Sequence, residues 1–163
     1  MINKTSWVLM ITEEDIDQLL GEWERVPVWL KLHLKPRCPA HRYEGELTID
    51  DEKVVFHGRD IKEGTDYGIE VPFARVTSVG FGFSDRLKKT FDPAFGIGGP
   101  TPFTIGYRDA AGDNHTVYFN TSFPNYVAYG DQVNFDCYET LDNSVNEYRS
   151  WKIEPALRAP VNA

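Results

Sequence analysis

The chain has 163 residues, with 17 basic and 25 acidic side chains and a formal net charge of −8. This length fits a single domain with its own hydrophobic core. The acidic balance argues against a nucleic-acid partner, because phosphate backbones are bound by concentrated basic surfaces. A composition of 41% hydrophobic and 13% aromatic residues also argues against a disordered chain.

The sequence predicts a cytoplasmic protein. No apolar run is long enough to cross a bilayer, and acidic residues from Glu13 onward leave no apolar signal-peptide core. The two cysteines, Cys38 and Cys137, are too few for a disulfide framework. We therefore expect two free thiols and no transmembrane segment.

The N-terminal part of the chain predicts an arm and a helix over residues 6–26. Residues 6–11 form a short apolar run that fits either a strand or a packed arm. Thr12 and the three acidic residues after it are typical of a helix start, where a hydroxyl caps and negative charge favours the helix dipole. Apolar residues at helical spacing follow, namely Ile16, Leu19, Leu20 and Trp23. Pro27 ends this helix, which we expect to pack on the barrel; the alternative is a partner-binding or dimerising helix.

Alternating apolar residues predict strands through the middle of the chain. The pattern begins at Val28–Leu34, and a proline-containing loop follows it. It returns at Leu47–Ile49 and, after a short polar turn, at Val54–Phe56, which together predict a hairpin. It appears again at Ile69–Phe73 and Val79–Phe83. From Glu44 to Phe83 we predict four consecutive strands in an antiparallel meander, which curls because a single sheet of this length tends to close.

The last third of the chain predicts a hairpin and a helix. Strands at Phe103–Tyr107 and His115–Phe119 flank a turn, and residues 122–140 are irregular and rich in aromatic side chains. A helix is predicted over about 141–153, and the tail 155–163 frays after Pro155. The signals for this helix are a capping box of Ser144 and Glu147 and an apolar stripe of Leu141, Val145, Tyr148 and Trp151.

Three segments carry a family resemblance: Gly45–Ile49, Val54–Gly58 and the Ile69–Val79 run with its strand-ending Pro72. Over about residues 44–151 the pattern resembles the bacterial pleckstrin-homology-like and GRAM-like domains. The resemblance implies a bent seven-stranded barrel closed by a C-terminal helix, and binding of lipid head groups, peptides or proteins rather than catalysis. We therefore expect one domain over 1–163. Its fold class is mainly β (α+β), a curled antiparallel barrel over about 27–121 with an N-terminal helix and a C-terminal capping helix.

A basic segment is the first candidate site. Four positive charges without an acid fall between residues 31 and 42, at Lys31, Lys35, Arg37 and Arg42. In the family that the chain resembles, the loop between the first two strands commonly holds phosphate-binding cations. If the first strand is Val28–Leu34, this segment is that loop. If it is Glu44–Asp50, the loop is acidic and would repel phosphate. An ordinary solvated loop is the plain alternative.

The long segment from Ser84 to Pro102 is the second candidate site. Its basic residues lie beside aromatic ones, at Arg86, Lys88, Lys89, Phe91 and Phe95. Such a loop fits a membrane surface or a protein partner. The alternative is that the two phenylalanines pack back onto the barrel.

Metal and catalytic motifs are weak in this sequence. Cys38 and His41, with nearby His33, have ligand-like spacing, but a structural zinc site needs four ligands. Nucleophile-elbow, P-loop and zinc-protease motifs do not occur. We expect no metal, no cofactor and no enzymatic activity.

Three functions follow from these patterns. We expect a non-catalytic interaction module that binds a protein partner, or a second copy of itself, through sheet edges or the Ser84–Pro102 loop. One alternative is binding of anionic lipid or phosphate head groups through Lys35, Arg37 and Arg42, with Lys88 and Lys89 in support. Another is a small enzyme or an apolar-ligand carrier that uses the barrel interior.

Overall fold

The described residues form seven strands and two helices, and the chain is mainly β as predicted. The structure, a computed structural model, describes residues 4–21, 41–82, 84, 101–121 and 131–158. The strands are β1 (Lys4–Thr12), β2 (Tyr43–Ile49), β3 (Lys53–Asp60), β4 (Thr65–Pro72), β5 (Val76–Phe81), β6 (Phe103–Arg108) and β7 (Asn114–Thr121). The helices are α1 (Glu13–Gly21) and α2 (Gln132–Arg158), and one 3-10 turn spans Phe73–Arg75.

The strands form one antiparallel sheet in the order β4-β3-β2-β1-β7-β6-β5, curved into a half-barrel. The predicted meander is right for β2, β3 and β4, which pair in sequence. It is wrong for β5, which pairs with β6 at the opposite edge of the sheet. Pro72 and the 3-10 turn after it separate β4 from β5, and proline donates no ladder hydrogen bond that would continue the strand.

The first strand lies at the centre of the sheet. β1 pairs with β2 on one side and with β7 on the other. The N-terminal run is therefore a strand, and the predicted start of the barrel near residue 27 is wrong. Both proposed first strands are also wrong, because β1 precedes them in the chain and belongs to the sheet. The basic segment 31–42 belongs to the connection between β1 and β2, and the strand predicted at Val28–Leu34 lies outside the described residues.

The core fills the concave face of the sheet. Phe103 and Phe119 stack there with ring centroids 5.4 Å apart, and both are fully buried. Helix α2 covers this face with buried Cys137, Leu141 and Val145. The thiol of Cys137 is free and its burial raises its pKa; the other predicted free thiol lies outside the described residues.

Helix α2 is longer than the sequence predicts at both ends. It begins at Gln132 rather than near Leu141, so the irregular segment predicted up to residue 140 is wrong from 132 onward. It also continues through Pro155 to Arg158, where a frayed tail was expected. Ser144, read as an N-cap, lies in mid-helix and is buried, since it belongs to the stripe that faces the sheet.

Helix α1 follows β1 directly. The backbone N–H of Asp15 donates to the Thr12 hydroxyl at 3.2 Å, and the Thr12 hydroxyl donates to the Asp15 carboxylate at 2.8 Å. Leu9 and Ile11 are buried on the face of β1 opposite the core, because strand side chains alternate between faces. Helix α1, with buried Ile16, packs against β1 and β7. The predicted continuation to residue 26 lies outside the described residues.

Candidate functional site

Of the eight predicted site residues, the structure describes only Arg42. The others, Lys35, Arg37, Arg86, Lys88, Lys89, Phe91 and Phe95, lie outside the described residues. The guanidinium of Arg42 donates two hydrogen bonds to the Asp60 carboxylate, at 3.1 and 2.8 Å, and a third to Asp15 at 2.8 Å. Both carboxylates are buried. Arg42 therefore joins α1 to the end of β3, and its positive charge is paired with two carboxylates of the same chain.

Local charges set the protonation of this ion pair. Burial works against ionisation of Asp60, but the hydrogen bond from Arg42 and the backbone N–H groups of Glu63 and Lys62 outweigh it. The pKa of Asp60 consequently lies below its ordinary value. The hydrogen bond with Asp60 raises the pKa of Arg42 in turn, so the pair is fully charged at neutral pH.

Two tyrosines stack beside this ion pair. Tyr43 of β2 and Tyr67 of β4 have ring centroids 4.1 Å apart, although β3 runs between their strands. The β3 residue in register with Tyr67 is Gly58, whose cross-strand partner is Gly45. A Cβ at Gly58 would collide with the backbone of Glu44 and Gly45. Glycine at this position thus lets the strands approach closely and leaves the space over β3 to the rings.

The histidines show no metal centre in the described part of the chain. The His41 ring lies 2.9 Å from a Glu44 carboxylate oxygen, and the other two members of its predicted motif are not described. His115 contacts Asp109 at 2.7 Å and Glu14 at 3.7 Å. The hydrogen bond between His115 and Asp109, together with backbone N–H donors, holds the pKa of Asp109 below its ordinary value. Among the described residues, no group of three His, Cys, Asp or Glu side chains is placed to hold a metal ion.

Four large apolar side chains are exposed on the described surface, and their surroundings differ. Phe81 and Phe135 contact each other, with centroids 5.4 Å apart. Trp7 stands on β1 opposite Glu46. Trp151 of α2 is the most exposed, at 78%, and it borders a cleft. Single exposed apolar residues are common on protein surfaces, and Trp151 differs from the other three in that it borders this cleft.

The cleft has a volume of about 360 Å³ and lies between the β2–β3 turn and α2. Asp51 and Glu52 line it from the turn. The Asp50 carboxylate shapes this turn by accepting the backbone N–H groups of Glu52 and Lys53, each at 2.8 Å. The backbone carbonyl of Glu52 also accepts the N–H of Phe73 at 2.8 Å, which fixes the turn to the core. These hydrogen bonds hold the backbone that carries the acidic wall of the cleft.

The other wall is the part of α2 between Ser144 and Lys152. Ser144, Glu147, Tyr148, Trp151 and Lys152 line it. The Tyr148 ring packs edge-on against Phe73 of the core, at 5.9 Å between centroids. One turn further on, the Lys152 ammonium lies 5.9 Å from the centre of the same tyrosine ring. The lining thus combines three carboxylates, one ammonium and two aromatic rings.

The sequence contained part of the signal for this site. The stripe Leu141, Val145, Tyr148 and Trp151 was expected to pack on the barrel, and its first two residues are buried. Tyr148 is only partly buried and Trp151 is exposed, and both line the cleft opposite the β2–β3 turn. The cleft lies between α2 and the β2–β3 turn, which are far apart in sequence. The apolar spacing within the helix therefore could not predict it.

Comparison with models of known protein families found no family that matches this chain, and no curated protein resembles it significantly. None of the described helices is both long and apolar enough to cross a membrane.

Proposed function

We propose that the protein is a non-catalytic interaction module that binds a protein partner at the cleft between the β2–β3 turn and α2. The observation that supports it best is Trp151, which continues the core-facing stripe of α2 and is nevertheless 78% exposed. Tryptophan is the residue type most enriched among side chains that dominate protein–protein binding energy. A partner that covers this ring would remove from water an apolar surface that the fold leaves uncovered.

Burial of the Trp151 side chain by a partner would supply much of the binding free energy. A tryptophan side chain offers roughly 150–250 Å² of surface, and each Å² of apolar surface buried contributes about 25 cal/mol. Covering Trp151 thus gains several kcal/mol before the costs of association. The wall beneath it is held in place by the contact between Tyr148 and Phe73. A preorganised wall lowers the entropy that binding must spend.

Membership of the pleckstrin-homology-like and GRAM-like domains is part of this proposal. Its support is a seven-stranded antiparallel half-barrel whose concave face is covered by the C-terminal helix. In that family the usual work is binding rather than catalysis. The head-group alternative has less support, because Arg42, the one described residue assigned to it, is paired with Asp15 and Asp60.

Photo-crosslinking tests the proposal directly. A benzophenone amino acid is placed at position 151 in one variant and at Asn143, an exposed position earlier in α2, in another. We expect a discrete crosslinked species from position 151 and none from 143. The crosslinked protein, purified separately, should bind the wild-type chain and lose at least about tenfold in affinity with Trp151→Ala, as expected for a dominant contact.

The identity of the crosslinked species separates the two forms of this proposal. A product of twice the mass of the chain shows a second copy as the partner, whereas any other mass shows a heterologous protein. Equal crosslinking from positions 151 and 143, or unchanged affinity in Trp151→Ala, would overturn the assignment of the cleft.

A further inference from the structure

We infer that the cleft receives a positively charged side chain, an arginine or a lysine that the partner protein presents in an extended segment. This inference rests on the proposed function, and it adds the chemistry of the group that is bound. Four features of the cleft support it: its charge, its aromatic rings, its size and the position of its own lysine.

Charge is the first feature. Asp51 and Glu52 face Glu147 across the cleft, and Lys152 is the only basic residue among the described residues of the lining. Lys53, which follows the turn in sequence, is paired with Glu70 at 3.1 Å and is not part of the lining. The cleft therefore carries more negative than positive charge, which attracts cations and repels anionic groups such as phosphate.

The aromatic rings are the second feature. Tyr148 and Trp151 are one turn apart on the same side of α2, and both line the cleft. Ring faces attract cations through their quadrupole, and tryptophan does so most strongly. Arginine and lysine also have long apolar stems that pack along such rings while the charged group reaches the carboxylates. A purely apolar side chain would offer no opposite charge to the carboxylates of Glu52 and Glu147.

Lys152 supplies the third feature. Its ammonium already lies 5.9 Å from the centre of the Tyr148 ring. A cation of the chain itself thus occupies one aromatic face of the cleft, while Trp151 remains 78% exposed. The second ring offers the same kind of surface to a cation from outside.

Size is the fourth feature. Clefts that enclose a drug-sized ligand range from about 300 to 1,000 Å³, and this one, at about 360 Å³, is near the lower limit. It admits one long side chain and the peptide units next to it, rather than a helix or a folded element. An extended segment of the partner presents a side chain in this way.

Short peptides test the inference on the intact chain. The probes are capped pentapeptides with glycine and serine around one central residue, which is arginine, lysine, citrulline or glutamate. Binding is followed through the indole N–H signal of Trp151 in a proton–nitrogen NMR spectrum, assigned with the Trp151→Phe variant. We expect saturable shifts with arginine and lysine, none with glutamate, and clearly weaker binding with citrulline, which has the shape of arginine without its charge.

Two charge-neutral variants provide the matched comparison. Glu147→Gln removes a carboxylate from the cleft, and Glu139→Gln makes the same change at an exposed position two turns earlier in α2. We expect about 2- to 30-fold weaker arginine-peptide binding in Trp151→Leu, the range of a cation held by an aromatic ring. Glu147→Gln should weaken binding several-fold and Glu139→Gln should leave it unchanged. Raising the salt concentration should weaken it in the wild type, because the charges are exposed to solvent.

The outcomes separate this inference from the proposed function. Equal binding of the citrulline and arginine peptides, or no shift with any peptide, would overturn the cation inference, while crosslinking from position 151 would leave the interaction module standing. Crosslinking that does not favour position 151 would refute the module itself, whatever the peptides show.

Discussion

At the scale of single residues, Arg42 has a structural role where the sequence predicts a binding role at the surface. The sequence placed it in a run of cations, and its neighbours in sequence gave no sign of its partners. Those partners, Asp15 and Asp60, come from α1 and from the end of β3. A planar guanidinium can satisfy one carboxylate with two parallel hydrogen bonds and still reach a second, which an ammonium cannot do with the same geometry.

The lowered pKa of Asp60 leads to a pH prediction. Because the folded-state pKa lies below the unfolded value of about 3.9, Asp60 stabilises the fold above that pH, and this stabilisation is lost as the pH falls through the folded pKa. We expect Asp60→Asn to be about 3 kcal/mol less stable than the wild type at pH 7, since Arg42 loses a charged partner. This difference should shrink as the pH falls from 5 towards 2. Urea unfolding followed by circular dichroism at several pH values measures it.

Asp66→Asn is the control for this experiment. Asp66 is an exposed aspartate of β4, in register with Arg59. Its variant should differ from the wild type by less than about 0.5 kcal/mol at every pH, as is usual for a surface substitution. If the difference in free energy of unfolding between the wild type and Asp60→Asn stays constant from pH 7 to pH 2, ionisation of Asp60 does not stabilise the fold.

At the scale of elements, α2 has two parts with different tasks. Its first part closes the concave face with a stripe that includes Asn134, whose side-chain carbonyl accepts the N–H of Thr121 at 2.7 Å. Its later part is tied to the start of β5, where Arg149 donates to the carbonyl of Val76 at 2.9 Å. After that contact the apolar stripe continues to Trp151, which is 78% exposed.

Two alanine substitutions in this one helix should therefore behave differently. Leu141 is fully buried, so Leu141→Ala should lower the free energy of unfolding by about 2–5 kcal/mol through lost burial and a cavity. Trp151→Ala should change it by less than about 0.5 kcal/mol, since the ring makes little contact with the fold. Chemical denaturation of both variants checks this. A loss above about 2 kcal/mol in Trp151→Ala would mean that the indole supports the core and is not kept for a partner.

The strands were predictable because their signal is local. Alternation around Leu47, Phe56 and Ile105 reports which side chains face a core, and all three are buried. Pairing is not local, so β5 was assigned beside β4 although it lies at the other edge. The sequence does not predict the start of α2, because the polar Asn134 interrupts the apolar stripe. In the fold the side-chain amide of Asn134 is buried and forms hydrogen bonds with backbone and side-chain partners.

At the scale of the whole molecule, the half-barrel has two edges, β4 and β5, and each pairs on one side only within the described residues. Unpaired edges invite association with other strands, and charged side chains are a common protection. On β4 the exposed Asp66 and Glu70 flank Gly68. An antiparallel pair of two β4 strands centred on Gly68 would place Asp66 of one copy opposite Glu70 of the other, and such like-charge pairs are unfavourable.

Removing these charges should promote self-association. We expect the double variant Asp66→Thr/Glu70→Val to form concentration-dependent dimers or larger species in sedimentation velocity, beyond any seen for the wild type. Glu46→Val is the control, because Glu46 is an exposed acid on β2, an inner strand. Sedimentation of the double variant identical to that of the wild type would show that these carboxylates do not guard the β4 edge.

The central position of β1 has a consequence for how the chain is made. Val8 is in register with Gly45 on one side and with Thr121 on the other. During synthesis β1 emerges before the other described strands. Its neighbour β2 follows soon after, whereas its other neighbour, β7, is made only after β2 to β6. Contacts between such distant parts of a chain slow folding. Until β7 leaves the ribosome, one side of β1 lacks its native hydrogen-bond partners, and we expect this unpaired strand edge to make the nascent chain prone to association with other chains.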